Sequence, residues 1–134
     1  MSEWHEAEQH VERAHEHFEA GRWEDAESEL RHALAMNPQQ AEWHFNLGLT
    51  LEAAGRPGDA VPEFRTAWEL SPEESQPALM TGVCLLRAGE PAQSLEWFDR
   101  AEKLAPEDVP SASRWRAARR PRSPPPTSSW SAPA

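Results

Sequence analysis

Residues 41–72 read AEWHFNLGLTLEAAGRPGDAVPEFRTAWELSP, two helical stretches broken by Gly55 and closed by Pro72. A glycine at this point ends the first stretch by accepting the left-handed conformation that closes a helix at little steric cost. Pro57 fits the first position of the second stretch, where no N–H partner is lost. Pro62 fits less well, because an internal proline removes a hydrogen bond and its ring strikes the preceding turn. The expectation is a second helix that starts late, capped by Asp59, or that bends.

Outward from this segment the same pattern returns every 34 residues. Gly55 has counterparts in Gly21 and Gly89, and Pro72 in Pro38 and Pro106. Small residues recur as Ala14, Gly48 and Gly82, as Ala26, Ala60 and Ser94, and as Ala33, Ala67 and Ala101. Bulky ones recur as Leu30, Phe64 and Phe98, and as Met36, Leu70 and Leu104. Seven columns aligned in three copies mark an internal repeat. The first copy shows what each encodes. Trp4, Ala7, Val11, Ala14 and Phe18 step by 3 and 4, as do Ala26, Leu30, Ala33 and Leu34, so each forms one buried helical face. Small columns let paired helices approach closely, and bulky ones fill the space between hairpins.

Period and residue types resemble the tetratricopeptide repeat, a 34-residue helix-turn-helix unit. Leu47, Gly48, Leu51, Gly55, Ala60, Phe64, Ala67 and Pro72 stand where that pattern places them, while Pro57 and Pro91 replace the usual aromatic after the turn. The resemblance divides residues 1–108 into copies 7–40, 41–74 and 75–108. It implies an all-α fold, a right-handed superhelix of three helical hairpins.

After Pro106 the pattern stops, since a fourth copy needs a small residue at Arg116 and a glycine at Ser123. Residues 109–134 are rich in Pro, Ser and Arg, a composition that buries too little apolar surface to order itself. They are expected to be mostly disordered, with one short basic helix over 111–120 whose Trp115 packs on the open end of the array. Two readings stay open: a functional basic tail, or an array cut short and completed by unrelated or out-of-frame sequence. The array carries 21 Asp and Glu against 8 Arg and Lys over residues 1–106, which disfavours nucleic acid and anionic membranes as partners. With no apolar run of membrane-spanning length and no basic or apolar leader, the expected location is the cytoplasm. The lone cysteine, Cys84, sits among apolar neighbours and reads as a buried, inert thiol.

Five of the six histidines (5, 10, 15, 17 and 32) fall in the first hairpin. His5, His10 and His15 are five apart, about 140° around a helix, whereas a chelate within one helix uses spacings of 3 or 4. No built metal site, cofactor site or catalytic residue is therefore expected; Glu6 with His10, or Glu12 with His15, would pair across a turn or capture an adventitious surface metal. No phosphate-binding or serine-elbow motif occurs. Glu24, Asp25, Glu27 and Glu29 read as a solvated face, and Trp43 and Trp68 as packing or partly exposed contact residues.

The resemblance also implies a concave groove lined by the first helix of each hairpin. Its lining would be Glu8, Val11, Glu12, His15 and Phe18, then Glu42, Phe45, Asn46, Leu49 and Glu52, then Gln76, Leu79, Met80, Val83 and Leu86, with Phe18, Leu49 and Val83 shared with the core. Family members that grip a C-terminal carboxylate use Lys, Asn and Arg at positions that match Val11, His15, Asn46, Gln76 and Met80, and only Asn46 agrees. An apolar groove with acidic rims suits a protein segment with apolar anchors and basic flanks. The chain's own tail is one such segment. The functional expectation is a non-enzymatic protein-interaction scaffold. The alternative is an array that self-associates through its third hairpin or tail, with no dedicated groove ligand.

Overall fold

The computed structural model describes residues 2–105, so the expected tail, its helix over 111–120 and the Trp115 contact lie outside the described residues. Six helices follow one another: α1 (Ser2–Glu19), α2 (Trp23–Met36), α3 (Ala41–Ala53), α4 (Pro57–Leu70), α5 (Ser75–Arg87) and α6 (Pro91–Leu104). They form three hairpins stacked in a right-handed superhelix, each helix packing chiefly on the one before it and the one after. No described helix is long and apolar enough to cross a membrane.

The elbows are built as the repeat pattern requires. Gly21, Gly55 and Gly89 have φ of 75°, 81° and 86°, and no other described residue has positive φ. At the first elbow Gly21 N–H donates to Phe18 O (3.0 Å) and Arg22 N–H to His17 O (2.8 Å). These two bonds satisfy carbonyls that the end of α1 would otherwise leave open. The same pair recurs around Gly55 and Gly89.

Within the hairpins the small and bulky columns interlock. The Phe64 ring lies over Gly48 so closely that a Cβ there would sit 2.7 Å from it, and Phe98 lies over Gly82 in the same way, at 2.6 Å. In the first hairpin the corresponding residues are Ala14 and Leu30, both fully buried, so the smaller partner admits the larger small residue. Burying a side chain such as Phe64 stabilises the fold by about 2–3 kcal/mol. Consecutive hairpins are also tied by charge: Arg56 Nη1 donates to Glu27 Oε1 (2.9 Å), and Arg87 Nη1 to Glu52 Oε2.

One local expectation is corrected. α4 starts at Pro57, as early in its hairpin as α6 does at Pro91, and carries Pro62 inside it. Asp59 does not cap the helix but accepts from Arg56 Nε at 2.9 Å. Pro62 is exposed, and the carbonyl its ring crowds belongs to Gly58, which has open space around it. The cost thus falls at a solvent-facing start, and packing of Ala60, Val61, Phe64 and Ala67 holds the rest of the helix.

Candidate functional site

The expected groove residues lie on α1, α3 and α5 and differ in access. Glu12, Glu42 and Gln76 are exposed, and Glu8, His15, Leu79, Val83 and Leu86 are half-buried. Val11, Asn46 and Leu49 are at most 2% exposed and belong to the core, as does Phe18. Phe45 and Met80 are nearly closed off as well. For Phe45, Asn46 and Leu49 the cause is the position of α3: as the first helix of the middle hairpin it packs on α2 and α4, and every residue from Phe45 to Glu52 is buried. Phe45 stands edge-on to Phe64, ring centroids 5.3 Å apart, which spends it on packing. What remains accessible is Glu12 on α1, Glu42 on α3 and Gln76 on α5, all exposed, with Leu79, Val83 and Leu86 of α5 half-buried. Of the five positions that match a carboxylate grip, Val11, Asn46 and Met80 are buried.

On α3, Glu52 is a buried carboxylate, its side chain 5% exposed, paired with Arg87. Burial pushes its carboxyl above the usual range, and the Arg87 guanidinium opposes the shift without cancelling it. Burial, with a smaller push from Glu52, also drives the Cys84 thiol up to about 12, so it stays protonated and does not act as a nucleophile.

Several polar residues fall elsewhere than their sequence neighbours suggest. Glu27 is not solvated: it accepts from Arg31 and Arg56, which together outweigh a burial cost and hold its carboxyl below the usual range. Trp43 is buried, with Trp4 stacked on it at 5.6 Å. Trp68 is half-buried, edge-on to Trp97 at 5.2 Å. His15 pairs with Glu19 (3.1 Å), and His10 with Glu29 (2.6 Å) rather than Glu6. The latter bridge repeats one hairpin later, where His44 Nδ1 meets Glu63 Oε1 at 2.9 Å. Burial works against charge on His44, but Glu63 and the Pro38 carbonyl, which accepts from Nε2 at 2.9 Å, prevail and raise its pKa.

Spacing along α1 gave no reason to expect a metal-binding group, yet the structure brings together His10, Glu29 and His32, one ligand atom from each lying within 4.8 Å of the others. The group forms across the hairpin. The available signal was Glu29 and His32, three apart and so on one face of α2.

Solved structures share this architecture. The type III secretion chaperone SycD of Yersinia enterocolitica, in complex with a peptide of the translocator YopD, superposes with a TM-score of 0.70 at 20% identity, over 84% of this chain and 85% of that one. MamA superposes with a TM-score of 0.71 at 19% identity, over 76% of this chain and only 60% of its own. At such identities the likeness concerns the fold. No curated protein matches the chain. A family model described as tetratricopeptide repeat matches residues 11–75 and again 51–109. These matches span the elbows, the interlocked columns and all three hairpins, and the chain belongs to the tetratricopeptide repeat family.

Proposed function

We propose that this chain is a non-enzymatic, cytoplasmic scaffold that binds an extended or helical segment of another protein in the concave face formed by α1, α3 and α5. The observation that carries the reading is that the first helices of the array leave apolar Leu79, Val83 and Leu86 only half-buried and Glu12 and Glu42 exposed. Apolar anchors of a partner would pack on these apolar side chains, and basic flanks would meet the carboxylates, which set orientation and exclude acidic competitors. SycD, of the same fold, is captured with a peptide of another protein, which supports this use of the architecture.

Stacking of one copy on another through the third hairpin is less favoured. At the column where α2 places buried Leu34 and α4 places Trp68 against the core, α6 places Glu102. A carboxylate there makes the last helix a poor platform for a further hairpin.

The test is fluorescence anisotropy with short labelled peptides that share leucine anchors and differ only in Arg or Glu flanks. Arg-flanked peptides should bind in a salt-sensitive way and lose affinity with Glu12→Lys and Glu42→Lys, both exposed and without consequence for the core. Equal affinity for the two peptides, or binding indifferent to both substitutions, would sink the reading. Phe45→Glu is unsuitable as a probe, because Phe45 is core.

A further inference from the structure

We propose that His10, Glu29 and His32 form a site for a divalent transition-metal ion of the zinc, cobalt or nickel class, which fastens α1 to α2 in the first hairpin. Two imidazoles and one carboxylate are the donor set that such borderline ions take, with water completing the shell. The ligand atoms, now within 4.8 Å of one another, must come to about 3.3 Å apart around a tetrahedral ion. His10 Nδ1 and Glu29 Oε1, 2.6 Å apart across a shared proton, separate slightly as the ion takes the proton's place and the proton leaves to solvent. His32 then swings in. Its ring is stacked on that of His10, centroids 5.3 Å apart and planes at 19°, and its exposure lets it turn without disturbing the core.

His32 already has the tautomer the task needs. Its Nδ1 lies 2.9 Å from Ser28 O, and a carbonyl only accepts, so Nδ1 carries the proton and Nε2 keeps a lone pair for the ion. A backbone acceptor on the far nitrogen is the usual support of a metal-binding histidine.

The second hairpin supplies an internal contrast. His44 and Glu63 stand 34 residues after His10 and Glu29, and they too form a bridge. There the other histidine nitrogen donates to Pro38 O, and Thr66 occupies the position of His32, so the bridge is a brace and nothing more. In the third hairpin the pair is replaced by Ala78 and Trp97. A brace alone accounts for a His–Glu pair, but it gives no role to a second imidazole stacked on the first.

The test is titration of the tag-free full chain with cobalt(II), read by its visible absorption bands, followed by displacement with zinc. One equivalent should bind with the intense bands of a four-coordinate ion. Affinity should fall at least about tenfold with His32→Gln, and should not change with His44→Gln or His5→Gln. Circular dichroism checks that His32→Gln keeps its helices, as its exposed position requires. Absence of binding up to millimolar cobalt, or binding that His32→Gln leaves intact, overturns the proposal, the second outcome placing the ion at another histidine such as His15.

Discussion

Substituting Gly48→Ala should destabilise this protein, and the same substitution should stabilise it once Phe64 has been shortened. A Cβ at residue 48 falls 2.7 Å from Phe64 Cε1 and 2.8 Å from Cδ1 and Cζ, whereas carbon atoms in contact prefer about 3.5–4.0 Å. The ring must retreat by close to an ångström. It is fully buried and abuts Phe45, so it has nowhere to go without moving its neighbours. Overpacking of this kind costs about 1–3 kcal/mol. Against it stands a gain of about 1 kcal/mol from replacing glycine inside a helix. The net is a loss of about 1 kcal/mol, or about 4–8 °C in Tm for an array of this size. In a Phe64→Leu background the clash is gone and only the helical gain remains, which recreates the Ala14 and Leu30 pairing of the first hairpin. Urea unfolding of the four proteins, followed by circular dichroism at 222 nm, should give a coupling of about 2 kcal/mol. An effect of Gly48→Ala with one size and sign in both backgrounds would refute the interlocking-column argument.

Two other glycines separate backbone from packing. A Cβ at Gly55 or Gly58 would meet nothing beyond its own stretch of chain within 4 Å, but Gly55 has φ 81° and Gly58 is an ordinary helical residue, so thermal melts should show Gly55→Ala losing about 1–2 kcal/mol and Gly58→Ala gaining about 0.5–1. Arg87→Ala strands the buried Glu52 carboxylate and should cost about 3 kcal/mol at neutral pH. Because burial holds the Glu52 pKa above 4.5 in the fold, its favourable share is full below 4.5 and is lost as pH rises through the folded value; Glu52→Gln should flatten that part of the stability profile. His44 runs at higher pH: its folded pKa lies above 6.5, so its contribution is complete below 6.5 and fades as pH climbs through the folded value, and denaturation of His44→Gln between pH 6 and 9 should lack that decline.

What the sequence made legible was whatever repeats along the chain. The glycine elbows, the helical stripes and the paired small and bulky columns depend on local conformation and fixed period, so they survive without coordinates. Access to the groove does not follow from period. Position 45 in the middle hairpin and position 79 in the last are both apolar and both on a first helix. Yet Phe45 is buried, edge-on to Phe64, while Leu79 stays half-buried. Val11, at the same position of the first hairpin, is fully buried, so access at this column is set by the side chains packed against each copy and not by the repeat position.

The histidines show the same limit more sharply. Judged along α1, five-residue spacing scatters His5, His10 and His15 around the helix, and that argument remains sound for one helix. It is incomplete for a hairpin. Once Gly21 turns the chain back on itself, residues on either side of it meet in antiparallel pairs: Phe18 with Trp23, His10 with Glu29, His10 with His32. Side-chain neighbours in a helical hairpin therefore come from two rules at once, steps of 3 and 4 along each helix and reflection through the elbow. Glu29 and His32 satisfy the first on α2, and His10 meets both by the second. Applied to the second hairpin, reflection through Gly55 places His44 on Glu63, and the absence of a histidine at residue 66 leaves a bridge where the first hairpin has a three-ligand group. The elbow glycine thus decides which polar residues of this chain can act together, although it carries no side chain of its own.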